Sequence, residues 1–191
     1  NIVSLDDVCS YCLTEPGSGS DAAALKTKAA ITNEGYSLNG SKSFISGGGF
    51  SDLYVVLCRT GDQTPSGISM LLVEDGQNGL SFGKKEQKMG WKAQPTAIVQ
   101  FDNCSIPASN LVGEEGAGFK YAMEGLDGGR LNIAAASLGG AQKACEIAKA
   151  YSKERSAFGK QISRFQSIEF KLADMATQLE AARLFLRSAA W

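Results

Sequence analysis

The sequence predicts an α+β chain: an antiparallel β-barrel or sandwich followed by the long helices of an incomplete helical bundle. Three observations point there. Short apolar runs with dense turn signals fill the stretch up to Pro107, and a helical period takes over beyond Gly118. Hydrophobic residues make up 43% of the 191-residue chain and charged ones 20%, enough to bury a core. The expected division is a β unit over residues 1–112 and a helical unit over 113–191.

In the β part, Leu25, Lys26, Thr27, Lys28, Ala29, Ala30 and Ile31 follow a strand's period, and residues 53–58 form a continuous apolar run. Asn33-Glu34-Gly35, Asn39-Gly40, Gly47-Gly48-Gly49, Thr64-Pro65-Ser66-Gly67 and Asp75-Gly76 punctuate the runs at the spacing of antiparallel turns. About seven or eight strands are expected. In the helical part, Ile168, Leu172, Met175, Leu179, Ala182 and Leu186 recur at steps of three and four, with Glu180 and Arg183 pointing elsewhere. Residues 119 to about 153 also read as helix. Within them Ala134, Ala135, Ala136, Ser137, Gly139, Gly140 and Ala141 form a small-side-chain stretch that suits close helix packing. Two long helices cannot bury all their faces alone, so further helices, from more of the polypeptide or from partner subunits, are expected.

Composition narrows the function. Lys and Arg total 19 against 20 for Asp and Glu, which leaves no basic stripe for nucleic acid. No apolar run reaches the roughly 20 residues of a membrane span. Residues 1–7 carry neither a basic head nor an apolar stretch of a leader, and both ends read as cuts within a longer polypeptide, the first in a strand pattern and the last in a helical one. Cys9, Cys12, Cys58, Cys104 and Cys145 are an odd, scattered set that fits a reducing compartment. Cys9 and Cys12 would face opposite sides of a strand, and no histidine is present to complete a metal site. The lack of histidine also removes every Ser-His-Asp or Cys-His mechanism from this sequence, leaving carboxylates, hydroxyls or a cofactor.

Tyr11-Cys12-Leu13-Thr14-Glu15-Pro16-Gly17-Ser18-Gly19-Ser20-Asp21 is a strand running into a loop rich in backbone donors and hydroxyls. Such a loop can cradle a phosphate or a polar cofactor edge, although taken alone it reads first as a surface turn. It lacks the glycine spacing of a Rossmann site. Other blocks follow in order: Asn39-Gly40-Ser41-Lys42-Ser43-Phe44-Ile45-Ser46-Gly47, Met89-Gly90-Trp91, Pro95-Thr96, then Phe101, Pro107 and Asn110. Gly113-Glu114-Glu115-Gly116-Ala117-Gly118-Phe119 and Glu154-Arg155-Ser156-Ala157-Phe158-Gly159-Lys160 with Gln166 complete the set. This ordered combination resembles the acyl-CoA dehydrogenase family from end to end, as a middle β-domain and the start of a C-terminal helical domain. The wording of Gly79-Leu80-Ser81-Phe82-Gly83-Lys84-Lys85-Glu86 and Gly128-Gly129-Arg130-Leu131-Asn132-Ile133-Ala134 resembles in particular the isobutyryl-CoA dehydrogenases of valine breakdown.

The resemblance implies an FAD-dependent enzyme that forms a 2-enoyl thioester from a short branched-chain acyl-CoA, passes electrons to an electron-transfer flavoprotein and assembles as a homotetramer. It implies a mitochondrial matrix location in a eukaryote and a cytoplasmic one in a bacterium. Tyr11, Cys12, Leu13, Thr14, Glu15, Pro16, Gly17, Ser18, Gly19 and Ser20 would line the flavin, with Thr14 at its pyrimidine end. Phe44, Ile45 and Ser46 would border its reactive nitrogen; without those neighbours Phe44 reads as a strand core residue. Arg155, Ser156, Ala157 and Gln166 would meet the dinucleotide of a flavin held mostly by another subunit, although an arginine at a helix end is also an ordinary solvated residue. Ser20, Asp127, Gly128, Gly129 and Arg130 would touch the CoA thioester. No catalytic base is assigned: the family's usual glutamate falls beyond Trp191, and at the alternative position stands Gly129. Phe165 replaces a polar residue common before the glutamine and is not assigned to the cofactor. Readings left open are a straight-chain acyl-CoA dehydrogenase, a flavin oxidase or monooxygenase on the same scaffold, and a noncatalytic β-domain with a helical interaction arm.

Overall fold

A computed structural model describes residue 4 and residues 6–191. The expected strand entry at the first residues falls largely on residues 1–3 and 5, outside the described ones. The chain divides into two compact units, 1–123 and 124–191.

The first unit is a curled, mixed sheet. Its strands are β1 (Cys9–Cys12), β2 (Lys28–Thr32), β3 (Gly35–Ser46), β4 (Leu53–Arg59), β5 (Ile68–Glu74), β6 (Leu80–Phe82) and β7 (Thr96–Pro107). They run in the order β1-β4-β2-β3-β7-β6, with β5 also paired to β4 along its whole length. The expected α+β class holds, but two pairings depart from an antiparallel sheet: β1 lies parallel to β4, Cys9 opposite Leu53 and Cys12 opposite Val56, and β2 meets β4 in parallel at Lys28 opposite Arg59. Parallel neighbours need a long crossover, and the β2–β3 hairpin between β1 and β4 in sequence supplies it. The core is packed inside the curl from Cys12, Tyr36, Leu38, Ile45, Tyr54, Val56, Leu71, Val73, Val99, Phe101 and Ile106.

Two local expectations are corrected. Ile31 is 66% exposed, although Leu25, Thr27 and Ala29 before it are buried in alternation. β2 meets β4 only at Lys28, so beyond that residue it is flanked by β3 alone. Asn39-Gly40 is not a turn but lies inside β3, at a register shift against β7. Gly40 has φ 148°, and a Cβ there would meet Thr27 Oγ1 at 2.5 Å, so the glycine permits close approach of backbone at a bulge rather than chain reversal.

α1 (Gly118–Glu154) starts in the first unit and continues into the second, where it is followed by a short hairpin, β8 (Ser156–Ala157) with β9 (Lys160–Gln161), and by α2 (Gln166–Ala189). Both helices fall where the period placed them. Leu131, Ala134, Leu138, Gln142, Cys145 and Ala148 form the half-buried stripe of α1, and Ile168, Leu172, Leu179, Arg183 and Leu186 that of α2. Arg183 therefore does not point away: it lies on the stripe and its Nη2 donates to Gln142 Oε1 at 2.8 Å. Four residues beyond Leu179 is the same helix face, and an arginine's apolar stem can lie along it. The small-residue stretch is not closely packed within the chain. Ala135, Ala136, Gly139 and Gly140 are exposed, and a Cβ on either glycine would meet nothing within 4 Å.

Candidate functional site

The geometry that gathers the predicted residues lies where β1 ends and β3 bulges. Along β1 the side chains alternate, so Ser10 and Cys12 turn inward while Tyr11 is exposed. The next residues are held to β3 by three contacts: Ser43 N–H donates to Thr14 O at 2.8 Å, Lys42 Nζ donates to Leu13 O at 3.0 Å, and Lys42 Nζ lies 2.8 Å from Glu15 Oε1. At the far end of β3, Ser10 Oγ donates to Ser46 O at 2.6 Å. The two segments expected to form one wall are therefore joined directly.

β3 slips register against β7 between Lys42 and Ile45, and Phe44 takes φ 58° in that slip. A bulky residue at positive φ costs on the order of 1–3 kcal/mol and persists only where its surroundings impose it. Here it keeps Phe44 out of the core: the ring is 68% exposed while its neighbours Ser43 and Ile45 are buried. The alternative of a strand core residue is thus overturned. Gly47, at φ 83°, ends the strand, where a Cβ would collide with the hydroxyls of Ser10 and Ser51.

Between Glu15 and Ser18 the backbone closes a tight turn through Glu15 N–H to Ser18 O at 2.9 Å and Ser18 N–H to Glu15 O at 3.2 Å. Pro16, Gly17, Gly19 and Ser20 are exposed, and a Cβ on either glycine would meet open space. Not every residue of this run can present its side chain to a ligand. Cys12, Leu13 and Ile45 are buried in the core, where only their backbone is available, and Ser18 Oγ is spent on Asp21 O at 2.7 Å.

The Glu15 side chain also turns inward. Its carboxylate accepts Lys26 N–H at 2.7 Å, Thr27 N–H at 2.9 Å and the wholly buried Lys42. Burial alone would raise this carboxyl, but the hydrogen bond and charge of Lys42, with the Thr27 and Lys26 contacts, outweigh it and hold the group below its ordinary range. Burial pulls the Lys42 ammonium below its ordinary value, with Glu15 opposing. Burial also pushes the Cys12 thiol and the Tyr11 phenol each up to about 12, so neither ionises near neutrality.

The remaining predicted residues belong to the second unit. Asp127, Gly128, Gly129 and Arg130 form one turn of α1. Arg155, Ser156 and Ala157 follow its C-terminus, where Arg155 O accepts Ile162 N–H at 2.9 Å, and Gln166 opens α2. From Arg130 to the end of α1 at Glu154 the helix rises about 36 Å, so these two groups stand far apart along it.

Several features escaped sequence reasoning. Lys42 stood in a quoted motif as a residue with no role. Phe165 closes a small cluster, with its ring 6.3 Å from Phe158 and Lys160 Nζ 4.3 Å above it. A cavity of about 430 Å³ beside Ser46 and Gly47 is lined by Cys9, Phe50, Trp91 and Pro95, with Trp91 at φ 55° and 68% exposed. The Met89-Gly90-Trp91 block was its one signal in the sequence. Among the described residues no group of acidic, cysteine or histidine side chains could hold a metal, and no helix is long and apolar enough to cross a membrane.

The chain resembles known proteins along nearly all of its length. Residues 10–104 match the middle domain of acyl-CoA dehydrogenases and residues 116–191 their C-terminal domain. The mitochondrial isobutyryl-CoA dehydrogenase of Dictyostelium discoideum is 54% identical over the whole chain, which spans 46% of that protein. Among solved structures, butyryl-CoA dehydrogenase from Megasphaera elsdenii is 46% identical with a TM-score of 0.91, over 95% of this chain and 48% of its own. PigA with FAD and proline is 32% identical with a TM-score of 0.92, over 98% of this chain and 50% of its own. The chain thus spans about half the length of the relatives it matches.

Proposed function

Because this chain belongs to the acyl-CoA dehydrogenase family, we propose that it is the flavin-holding part of an enzyme that dehydrogenates a short branched-chain acyl-CoA, isobutyryl-CoA, to the 2-enoyl thioester. The observation that carries this is the bulge that turns Phe44 outward, joined through Ser43 to the Thr14 backbone. An exposed ring beside exposed and half-buried hydroxyls and an open glycine turn fits an isoalloxazine, which offers a flat apolar face and a polar edge. Bound FAD would supply the two-electron acceptor, taking the hydride from the β-carbon while the α-proton goes to the base.

The residues here bind, orient and exclude water. Thr14 would meet the polar edge of the ring, Phe44 and Ser46 its reactive side, and Ser20 the CoA portion. Asp127, Gly128, Gly129 and Arg130 would hold the thioester chain. Arg155, Ser156, Ala157 and Gln166 would meet the dinucleotide of a flavin from another copy, which is supported by the length of α1 separating them from Arg130. That arrangement calls for a second copy of the chain, and a homotetramer is the proposed assembly. The base is assigned outside these residues, since Gly129 offers no proton acceptor. An electron-transfer flavoprotein is the proposed electron acceptor, and the mitochondrial matrix the proposed compartment in a eukaryote.

The test is to purify the full-length protein, record its visible spectrum and mix it with a panel of acyl-CoAs and an artificial electron acceptor. Bound flavin that is bleached fastest by isobutyryl-CoA is the expected result. A preparation that neither carries nor takes up FAD, or flavin that no thioester bleaches, defeats it. A second reading, a flavin oxidase, draws support from the match to the prolyl acyl carrier protein oxidase AnaB, 31% identical with a TM-score of 0.89. Rapid oxygen consumption by the reduced flavin would favour that reading.

A further inference from the structure

Two buried cations grip the two ends of the glycine-rich loop. At its start, Lys42 Nζ donates to Leu13 O and Glu15 Oε1. At its close, the buried Arg59 guanidinium donates to Ala23 O at 2.7 Å and to Leu25 O at 3.2 Å. The two differ in kind. Arg59 meets only backbone carbonyls, two of them in the neighbouring loop at Asp62 and Thr64, whereas Lys42 faces a carboxylate that itself collects Lys26 N–H and Thr27 N–H. Three segments thus meet at the Lys42–Glu15 pair. Lys42 is also the last residue of β3 in register with β7, at Val99, before the slip that exposes Phe44.

We propose that Lys42, acting through Glu15, is a positioning residue that locks the Thr14 backbone against the Phe44 bulge and so presets the cofactor wall. This rests on the flavin reading above. Desolvating two charges is costly, and an apolar pair of similar volume often serves stability as well. What an apolar pair cannot reproduce is direction: ammonium hydrogens aimed at one carbonyl and one carboxylate, and carboxylate oxygens aimed at two amides. With Ser43 N–H donating to Thr14 O next door, the pair fixes how far the loop stands from the bulge.

The experiment uses the full-length protein and the double variant Lys42→Met with Glu15→Gln, which removes both charges together and so leaves no buried charge without its counter-charge. Glu15→Gln alone is the second variant. Apoprotein is titrated with FAD, and the visible circular dichroism of the bound flavin is recorded. A roughly tenfold or larger rise in the FAD Kd with an altered flavin dichroism is expected, the scale of loss that small misplacements produce. Ile106→Ala, a core truncation away from the loop, serves as the comparison: it should lower the melting temperature but leave Kd and dichroism as in the wild type. Variants that match the wild type in both readouts while the wild type binds FAD overturn the positioning role alone. A wild type that takes up no FAD overturns the flavin reading and this inference with it.

Discussion

Tyr54, Leu38, Leu57, Leu71 and Val99 are wholly shielded within the β unit, whereas no residue of α2 is buried and Phe170, Leu184 and Phe185 stand open to solvent. One unit curls a sheet around its own side chains; the other lays two helices along a single stripe each. A sheet that curls can enclose a core with its own strands. A pair of helices covers only the faces that meet, so the rest of each helix needs other surfaces for burial. The candidate flavin wall is built on the self-contained unit, where backbone strain at Phe44 can be sustained by the packing around it.

The sharpest challenge to that contrast is Lys42→Met alone. It leaves the Glu15 carboxylate buried without its cation, and a loss of about 3–5 kcal/mol in a urea titration of the β unit is expected. A near-neutral result would mean the pair is not sealed from water. Next come paired truncations: Leu71→Ala should cost about 2–5 kcal/mol and Phe185→Ala, 78% exposed, within about 0.5 kcal/mol in the chain studied alone. Equal losses would break the comparison between units.

Acid provides a smaller effect. Glu15 is held below its ordinary value of 4.5, so its contribution to stability is fully present above that pH and is lost as pH falls through the lower, folded value. Burial, which depresses Lys42, penalises the charged ammonium, and that penalty is relieved only at alkaline pH, so the acid limb belongs to the carboxylate. Chemical denaturation between pH 6 and 3 (roughly the range in which carboxylates titrate) should show a steeper acid loss in the wild type than in the Glu15→Gln variant. Smallest is thiol labelling. Burial pushes Cys12 and Cys58 to about 12 and Cys104 to about 11, so a thiol reagent at neutral pH should leave these three silent while Cys145, half-buried on α1, reacts.

Much of the fold was legible in the chain. The helical stripes, the buried run at 53–58 and the strand ends at Pro107 are local patterns, and a local pattern carries its own period. Arg183 and Ile31 were misjudged because residue type alone does not say which neighbours a face will meet. The Asn39-Gly40 pair looks like a turn in any window; only the presence of β7 alongside makes it a bulge. The candidate site was legible as two motifs, but which of their side chains turn outward was not.

By itself the sequence determined the α+β class, the order of its parts, its family and the residue types available to a cofactor, since these follow from period, turn chemistry and motif order. Only the tertiary structure decided that β1 runs parallel to β4, that Phe44 faces outward, and that Glu15 turns in to meet Lys42. The reason is reach. Those outcomes depend on strands brought together from 27 or more residues apart, as Lys42 and Glu15 are, and no local rule specifies which buried charge will find which partner.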